Sequence, residues 1–295
     1  MAALNGRTPA AASSAFKGPF CLFSKLLPEL PPRELARAVK NLGYTAIDLT
    51  VRPQGHVLPE RASDDLPKAI EAIRAEGVEV PMITTALLSA TDPTARPILS
   101  TASRLGVQYV KPGYYRYKLD DVKREVEATK REFAGLAQVA KDAGIKLGYH
   151  NHSGTYVGAA VWDAVAVVDP LPPDSAGYYF DIRHAVVEGG DAGWKIALQL
   201  VAPRLTMLAM KDFRWERSPK GGWRVENVPI GEGMVNWTEY ASQLARLRFT
   251  GPVSVHVEYD ITGPTPAARL EKALDAARRD LQFTKARLDE AYART

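Results

Sequence analysis

The sequence has very little cysteine, since Cys21 is the only one among 295 residues. A single cysteine excludes an internal disulfide framework and a zinc site built from cysteines, and the apolar neighbours of Cys21 indicate a small core residue. Histidine is scarce as well, with five in the chain. A phosphodiesterase that uses a trinuclear zinc cluster needs many histidine ligands, so this class of enzyme is disfavoured.

The chain also has no large excess of charge of one sign. Its 38 Lys and Arg residues are nearly balanced by 34 Asp and Glu residues, which leaves a formal net charge of +4. The basic residues are scattered, so no nucleic-acid partner is expected. A long apolar run and the apolar region of a signal peptide are both missing, so we expect no membrane partner. The expected location is the cytoplasm, or the periplasm if an export signal was removed.

The composition does not change along the chain in a way that would mark a domain boundary. Apolar residues make up 46% of the sequence, enough for a sizeable core. We expect residues 1–17, rich in small and polar residues, to be a flexible leader, and residues 18–295 to form one domain with a C-terminal helical extension. A long final helix of this kind is suited to pairing in a homodimer.

Short β-rich runs alternate with longer helix-period stretches, a pattern typical of a parallel sheet with crossover helices. The eight predicted strands are Phe20–Phe23, Thr45–Val51, Val80–Thr84, Val107–Lys111, Lys146–His150, Gly177–Asp181, Leu205–Lys211 and Val253–Glu258. Eight such strands predict an α/β fold, a single-domain (β/α)8 TIM barrel. The competing doubly wound sheet requires a glycine-rich phosphate loop after the first strand, and residues 24–28 do not form one.

Imidazole and carboxylate groups lie at the ends of several predicted strands. His150 and His152 end the fifth strand region, Asp181 ends the sixth with His184 in the following loop, and Glu258 ends the eighth. A TIM barrel keeps its chemistry at this end of its strands. Mn²⁺, Mg²⁺, Co²⁺ and Zn²⁺ accept oxygen and nitrogen ligands of this kind, so one divalent metal ion is a candidate cofactor.

Several motifs, in their order along the chain, resemble the sugar phosphate isomerase/epimerase family, the xylose-isomerase-like TIM barrels. The motifs are Asp181-x-x-His184, Lys211-Asp212-Phe213, the turn Pro229-Ile230-Gly231-Glu232-Gly233, and Glu258 at the end of the last strand. The resemblance covers roughly residues 18–285. It implies a carbohydrate substrate and one divalent metal ion, held by a Glu, an Asp, a His and a Glu on strands five to eight.

Two of those four ligands match this chain, namely Asp181 and Glu258. The strand-five Glu is replaced within His150-Asn151-His152, and Ala209 stands where strand seven usually has a histidine. A metal ion could still be held by Asp181, Glu258 and His150 or His152, which is an acceptable three-ligand catalytic site. Alternatively, Lys211 supplies the positive charge without a metal.

The resemblance implies proton abstraction next to a sugar carbonyl, as in an isomerase or epimerase. Glu258 is the expected base, His152 or His184 the acid, and Lys211 or the metal would hold the enediolate oxygen. Two alternatives remain open. One is a metal-assisted lyase or dehydratase that acts on a keto-sugar or keto-glycoside, and the other is a non-catalytic sugar-binding barrel with a degenerate metal site.

Further residues are expected to bind the substrate. Arg52 and Lys111, each at a predicted strand end, can donate to hydroxyl or anionic groups. His56 lies in the loop after Arg52, His256 lies near the end of the last strand, and Trp215 offers a flat face on which a sugar ring can stack.

Overall fold

The structure is a computed structural model that describes residues 15–295. Eight parallel strands form a closed barrel in the order β1-β10-β7-β6-β5-β4-β3-β2. The barrel strands are β1 Phe20–Phe23, β2 Ala46–Val51, β3 Glu79–Thr85, β4 Tyr109–Lys111, β5 Lys146–His150, β6 Ala176–Asp181, β7 Leu205–Met210 and β10 Val253–Val255. The predicted α/β fold, a TIM barrel, is therefore confirmed.

Eight α-helices surround the barrel in the described part of the chain. They are α1 Pro32–Leu42, α2 Ala62–Arg74, α3 Ala95–Arg104, α4 Val122–Asp142, α5 Val161–Val168, α6 Ile182–Val201, α7 Trp237–Arg246 and α8 Pro266–Tyr292. Apolar faces of these helices pack against the outside of the strands and form the main core. Helix α8 packs on α7 and α1 and so completes the ring of helices; the homodimer expected from its length stays a prediction.

An antiparallel hairpin that the sequence did not predict follows β7. It consists of β8 Asp212–Arg217 and β9 Trp223–Val228. Both strands are only partly buried and carry charged residues such as Arg214, Glu216 and Arg224, so the alternation of apolar and polar residues that identifies a half-buried strand is weak here. Gly221 and Gly222 adopt positive φ values of 88° and 75° in the turn, a conformation that glycine adopts without steric cost.

Most barrel strands differ from the prediction by at most one residue at each end, whereas β4 begins two residues later and β10 ends three residues earlier than predicted. Strand β7 ends at Met210 and β10 ends at Val255, so Lys211 and Glu258 follow their strands instead of ending them. Helix α6 begins directly after Asp181, so His184 lies in the first helical turn and not in a loop as predicted. The Asp181 side chain accepts a hydrogen bond from the His184 backbone N–H, and this N-cap explains why the helix begins there.

The register of the strands brings the polar ends of three neighbouring strands together. Asp181 of β6 pairs with Ala209 of β7, and Met210 of β7 pairs with Val255 of β10. Lys211 therefore lies between the end of β6 and the segment that contains Glu258. The inside of the barrel is filled by a separate small cluster of buried side chains. These are Cys21, Ala46, Met82, Tyr179, Met207 and Ala209.

The beginning of the described chain is packed against its end. Phe16, which lies within the predicted leader, is buried against Phe20 and Tyr292, and its backbone N–H donates to Asp289. Residues 1–14 of the predicted leader lie outside the described residues. Within residues 15–295, no helix is both long and apolar enough to cross a membrane.

Gly177 in β6 has no space for a side chain. A Cβ atom there would lie 2.5 Å from the Arg204 carbonyl oxygen and 2.6 Å from Thr206 Cγ2. We expect Gly177→Ala to lower the free energy of unfolding by about 1–3 kcal/mol, because a backbone carbonyl cannot move aside cheaply. Urea unfolding measures this change. Gly193→Ala is the control, since Gly193 has open space around it in α6, and equal urea midpoints for the two variants would contradict the prediction.

Candidate active site

The ammonium group of Lys211 is the centre of the polar cluster at the carboxyl ends of the strands. Its Nζ lies 3.0 Å from Asp181 Oδ2, 3.1 Å from Glu258 Oε2 and 3.0 Å from His184 Nε2. Burial alone would lower the pKa of Lys211, but Asp181 and Glu258 outweigh it and raise the pKa above its ordinary value. Lys211 is therefore a buried, charged ammonium group with three acceptors.

Asp181 is completely buried and both of its carboxylate oxygens have hydrogen-bond donors. Oδ1 accepts the His184 backbone N–H, and Oδ2 lies 3.1 Å from His150 Nε2 as well as 3.0 Å from Lys211 Nζ. The Asn151 side chain bonds both the N–H and the carbonyl of Asp181, and so ties the ends of β5 and β6 together. Burial raises the pKa of Asp181, but Lys211 and the histidines hold it well below its usual range. Asp181 is therefore a fixed negative charge.

His150 is held in one neutral tautomer. Its Nε2 donates to the Asp181 carboxylate, so Nδ1 is the acceptor for the Tyr114 hydroxyl at 3.0 Å. Burial lowers the pKa of His150 to about 3, although Asp181 acts in the opposite direction. Tyr114, a residue that the sequence analysis did not assign to the site, therefore fixes His150 from the side opposite Asp181.

His152 and His184 stack with their ring centroids 3.9 Å apart. His184 Nε2 faces the Lys211 ammonium, and its Nδ1 bonds Ser153 Oγ at 2.8 Å. His152 donates from Nδ1 to the Ser153 carbonyl, and its Nε2 has no hydrogen-bond partner in the described residues. Burial and the charge of Lys211 lower the pKa of His152 to about 4 and that of His184 well below its ordinary value. Both rings are therefore neutral near pH 7.

Glu258 lies between two lysines at the mouth of the barrel. Oε1 is 3.2 Å from Lys25 Nζ, and Oε2 is 3.1 Å from Lys211 Nζ. The Asn227 amide of β9 donates to the Glu258 carbonyl, so the hairpin positions this segment. Burial raises the pKa of Glu258, but Lys211, His256 and Lys25 together hold it well below its usual range. The side chain keeps 22% of its surface exposed, so a ligand in the mouth can reach it.

The described residues include one cluster with the spacing of a metal site. The ligand atoms of His150, Asp181 and His184 all lie within 4.8 Å of one another. His184 thus takes the place that the sequence analysis gave to His152 and Glu258. However, His150 Nε2 carries the hydrogen bonded to Asp181, and Lys211 Nζ already contacts both Asp181 Oδ2 and His184 Nε2. This arrangement does not fit a divalent ion, because the ammonium group occupies the lone pairs that an ion would need.

The remaining predicted substrate-binding residues lie in different surroundings. His56 bonds Thr50 Oγ1 and the Leu27 carbonyl, so it fixes its own loop. His256 stacks on Phe23 and bonds the Tyr179 hydroxyl deep in the barrel. Arg52 lines a cavity at the barrel mouth, whereas Lys111 is buried with its ammonium over the Tyr114 ring. Trp215 lies on β8 with 40% of its surface exposed.

Sequence reasoning missed several residues that build the site. Tyr114, Ser153 and Asn227 contribute single hydrogen bonds to His150, His184 and Glu258, and nothing in their local sequence distinguishes them. Lys25 follows the end of β1, the same kind of position that identified Arg52 and Lys111, so this signal was available.

Comparison with known proteins identifies the family. Residues 36–287 match the family described as xylose isomerase-like TIM barrel. A crystal structure of a xylose isomerase-like TIM barrel protein from Mycobacterium smegmatis in complex with magnesium has a TM-score of 0.69 and 19% identity, over 93% of this chain and 98% of that chain. The crystal structure of D-psicose 3-epimerase in the presence of D-fructose has a TM-score of 0.68 and 17% identity, over 92% and 99%.

A curated relative matches part of the chain. The uncharacterized protein MJ1311 of Methanocaldococcus jannaschii is 25% identical over 122 residues, which are 41% of this chain and 39% of that protein. The match therefore spans well under half of the relative's length. At these identities the two crystal structures show a shared fold, and the family match extends over most of the barrel. The resemblance found in the sequence is confirmed: the chain belongs to the xylose isomerase-like TIM barrel family.

Proposed function

We propose that the protein is a sugar isomerase or epimerase that removes a proton from a carbon next to a carbonyl group. The observation that carries this proposal is the contact of one buried ammonium, that of Lys211, with the partly exposed carboxylate of Glu258 at the barrel mouth. A cation and a base side by side are what enolisation requires. The similarity in fold to D-psicose 3-epimerase supports a carbohydrate as the substrate.

Lys211 is the group that stabilises the negative oxygen. When the proton leaves, the adjacent carbonyl oxygen becomes an enediolate oxygen, and a preorganised ammonium stabilises that charge more strongly than the neutral carbonyl. Asp181 holds Lys211 in place and keeps it charged. Because Asp181 is fully buried, it acts on Lys211 and does not meet the substrate.

Glu258 is the proposed base. Its low pKa makes it a weak base in the free protein, so substrate binding must reduce its contact with cations. The contact with Lys25 is the one that a substrate can displace, since 53% of the Lys25 side chain is exposed. Loss of that partner raises the pKa of Glu258 toward its ordinary value, and this brings the carboxylate closer to the basicity that proton abstraction requires.

His152 is the proposed partner that moves a proton between substrate oxygens. Its ring is neutral near pH 7, and Nε2 is free to accept and then return a proton. His184 is less suited to this role because both of its nitrogens are occupied by Lys211 and Ser153. One carboxylate with one imidazole favours aldose–ketose isomerisation, in which the proton returns on the same side, over a mechanism with two opposed carboxylates.

Solvent isotope exchange tests this function without knowledge of the product. Protein is incubated in D₂O with a panel of aldoses and ketoses, and NMR follows loss of the C–H signal next to the carbonyl. We expect exchange with wild-type protein, and about 10²-fold slower exchange with Glu258→Gln, the lower end of the range for a general base. Glu232→Gln is the matched control, an exposed carboxylate paired with Arg279. Sugar binding without exchange would instead identify a binding protein.

A metal-assisted isomerase or lyase is the second candidate. It is favoured by the ligand spacing of His150, Asp181 and His184, and by the magnesium in the related structure from M. smegmatis. Mn²⁺, Mg²⁺, Co²⁺ or Zn²⁺ could bind there only if Lys211 moved away. Metal analysis of unchelated protein, together with isotope exchange before and after chelation, separates the two candidates. One equivalent of metal and loss of exchange on chelation would favour the second.

A further inference from the structure

We propose that the substrate carries an anionic group, a carboxylate or a phosphate, which Arg52 and Lys111 bind at the barrel mouth. The proposal rests on the proposed function, because it assumes that a carbohydrate occupies this site. It adds the class of sugar: an acidic sugar instead of a neutral one. Two cationic side chains at the ends of β2 and β4 that have no acceptor among the described residues carry the inference.

Lys111 is a buried ammonium group without a protein acceptor. Only 2% of the residue is exposed. Its ammonium makes no hydrogen bond or ion pair with the described residues, and Nζ lies 3.3 Å from the centroid of the Tyr114 ring. A ring face attracts a cation but does not replace the hydrogen bonds that water provides. Burial, followed by repulsion from Arg52, lowers the pKa of Lys111 well below its ordinary value. A bound anion would supply the missing hydrogen bonds and would offset the repulsion between Lys111 and Arg52.

Arg52 lies beside the same region and is similarly unpaired. Its Nε is buried without a hydrogen-bond partner, and the described interaction of its guanidinium is with the Phe23 ring, 5.7 Å away. Arg52 also lines a cavity of about 620 Å³ together with Lys25, Thr50 and Gln54. The planar fork of donors of an arginine beside a cavity is well suited to a carboxylate or a phosphate.

The nearby carboxylates are already used by other groups. Asp48 accepts from Thr84, Tyr179 and Ser254. Asp181 and Glu258 accept from Lys211, and the second oxygen of Glu258 accepts from Lys25. No acidic side chain in the described residues therefore pairs with Arg52 or Lys111. Two neighbouring cations without a counter-ion are unfavourable unless a ligand supplies the negative charge.

The position of these two cations suits a substrate that also reaches the reacting groups. Tyr114, whose ring Lys111 covers, donates its hydroxyl to His150, and His150 bonds Asp181 beside Lys211. Glu258 raises the pKa of Lys111 and Lys211 lowers it. An anionic group held by Arg52 and Lys111 would therefore leave the carbonyl end of the same sugar near Glu258 and Lys211.

Isothermal titration calorimetry of the full chain tests the proposal by binding, without turnover. The ligands are hexuronates, hexose monophosphates and the corresponding neutral hexoses, with inorganic phosphate alone as a further probe. We expect at least one acidic class to bind about tenfold tighter than its neutral counterpart, as charge-assisted hydrogen bonds contribute. Preference for hexuronates identifies a carboxylate and preference for monophosphates identifies a phosphate. Equal binding of acidic and neutral sugars would overturn the proposal.

Variants locate the preference on the two cations. Arg52→Gln and Lys111→Met should each remove most of the preference, so that the ratio of the Kd for a neutral hexose to the Kd for its acidic counterpart falls toward one. Arg61→Gln is the matched control, because Arg61 follows the same strand but is exposed and paired with Asp64 and Asp65. Without ligand, Lys111→Met should not lower the melting temperature, since it removes an unpaired buried charge. A lower melting temperature for Lys111→Met, or an unchanged preference for acidic sugars in both variants, would show that these cations stabilise the fold and do not bind the anion.

The proposed function and this inference can fail separately. Tight binding of an acidic sugar without isotope exchange would remove the isomerase and keep the anion site. Isotope exchange with neutral sugars, together with equal binding of acidic and neutral sugars, would support the isomerase proposal and contradict the anion-site proposal.

Discussion

Lys211→Met is expected to lower the rate of isotope exchange by about 10³-fold. One preorganised donor to an oxyanion typically contributes about 10²–10³-fold to the rate. In the described residues, Lys211 is also the only cation that contacts both Asp181 and Glu258. The substitution keeps a side chain of similar length and removes only the charge and the donors. Exchange rates measured at saturating sugar, with protein concentration fixed, give the effect directly.

The same variant should bind a divalent metal ion better than the wild-type protein does. Removal of the ammonium frees Asp181 Oδ2 and His184 Nε2, which lie with His150 Nε2 within 4.8 Å of one another. Repulsion between a unit charge and a dication a few ångströms apart exceeds about 1 kcal/mol even in water, so the Kd for Zn²⁺ should fall by about tenfold or more. Equal metal affinity in the two proteins, or one equivalent of metal in wild-type protein, would contradict the view that Lys211 occupies the metal position.

Loss of folding must be separated from loss of chemistry in this experiment. Lys211→Met leaves Asp181 as a buried charge without its ammonium partner, which typically destabilises a protein by about 3–5 kcal/mol. The double variant Asp181→Asn with Lys211→Met removes both charges and should recover much of that stability while still lacking activity. Lys195→Met is the matched surface control, since Lys195 pairs only with exposed or half-buried Asp191 and Glu239. Recovery of exchange in the double variant would show that Lys211 has a structural role alone.

Most of the barrel could be predicted from the sequence because its strands are short, buried apolar runs. Six of the eight barrel strands, β1, β2, β3, β5, β6 and β7, were predicted within one residue at each end. The hairpin after β7 was missed because a solvent-exposed, charged strand pair is stabilised by backbone pairing and ion pairs, such as Arg214 with Glu226, and not by an apolar pattern. The start of α6 was missed because Asp181 is both the end of a strand and the N-cap of a helix.

The site was predicted in part. The features that were not predicted depend on contacts between residues that are far apart in sequence and meet across the barrel. Asp181, Glu258 and His150 stand out in sequence as polar groups at the ends of apolar runs. Lys211 Nζ reaches Asp181 because of the β6–β7 register. His184 lies closer to this carboxylate than the metal hypothesis assumed because α6 begins directly after Asp181. Sequence spacing does not determine either feature. The expectation of a metal came from the histidines and carboxylates at the strand ends and from the family resemblance. The presence of Ala209 where strand seven usually has a histidine was the sequence feature that indicated a different site.

Asp212 is expected to be the residue whose loss costs the most stability outside the core. It follows Lys211 directly, is only 1% exposed, and its carboxylate accepts five hydrogen bonds. The donors are the backbone N–H groups of Phe213, Gly231, Gly233 and Val235 and the indole N–H of Trp237. These contacts fold residues 229–236, the loop between the hairpin and α7, around one buried negative charge.

Asp212→Ala should lower the free energy of unfolding by about 3–5 kcal/mol, because it leaves buried N–H groups without an acceptor. Urea unfolding followed by tryptophan fluorescence measures this loss. Glu216→Gln is the control on the same hairpin, where the exposed ion pair with Arg224 is screened by solvent and should contribute little to stability. An unchanged urea midpoint for Asp212→Ala would mean that water replaces the carboxylate.

Lys211 and Asp212 therefore have different roles in this segment: Lys211 contacts the reacting groups and Asp212 holds the backbone that follows it. Because Asp212 anchors the backbone directly after Lys211, loosening the loop should also release the ammonium from Asp181 and Glu258. Asp212→Ala is accordingly expected to slow isotope exchange even under conditions where the variant remains folded. A folded Asp212→Ala protein with wild-type exchange would show that β7, through its pairing with β6 and β10, is sufficient to position Lys211.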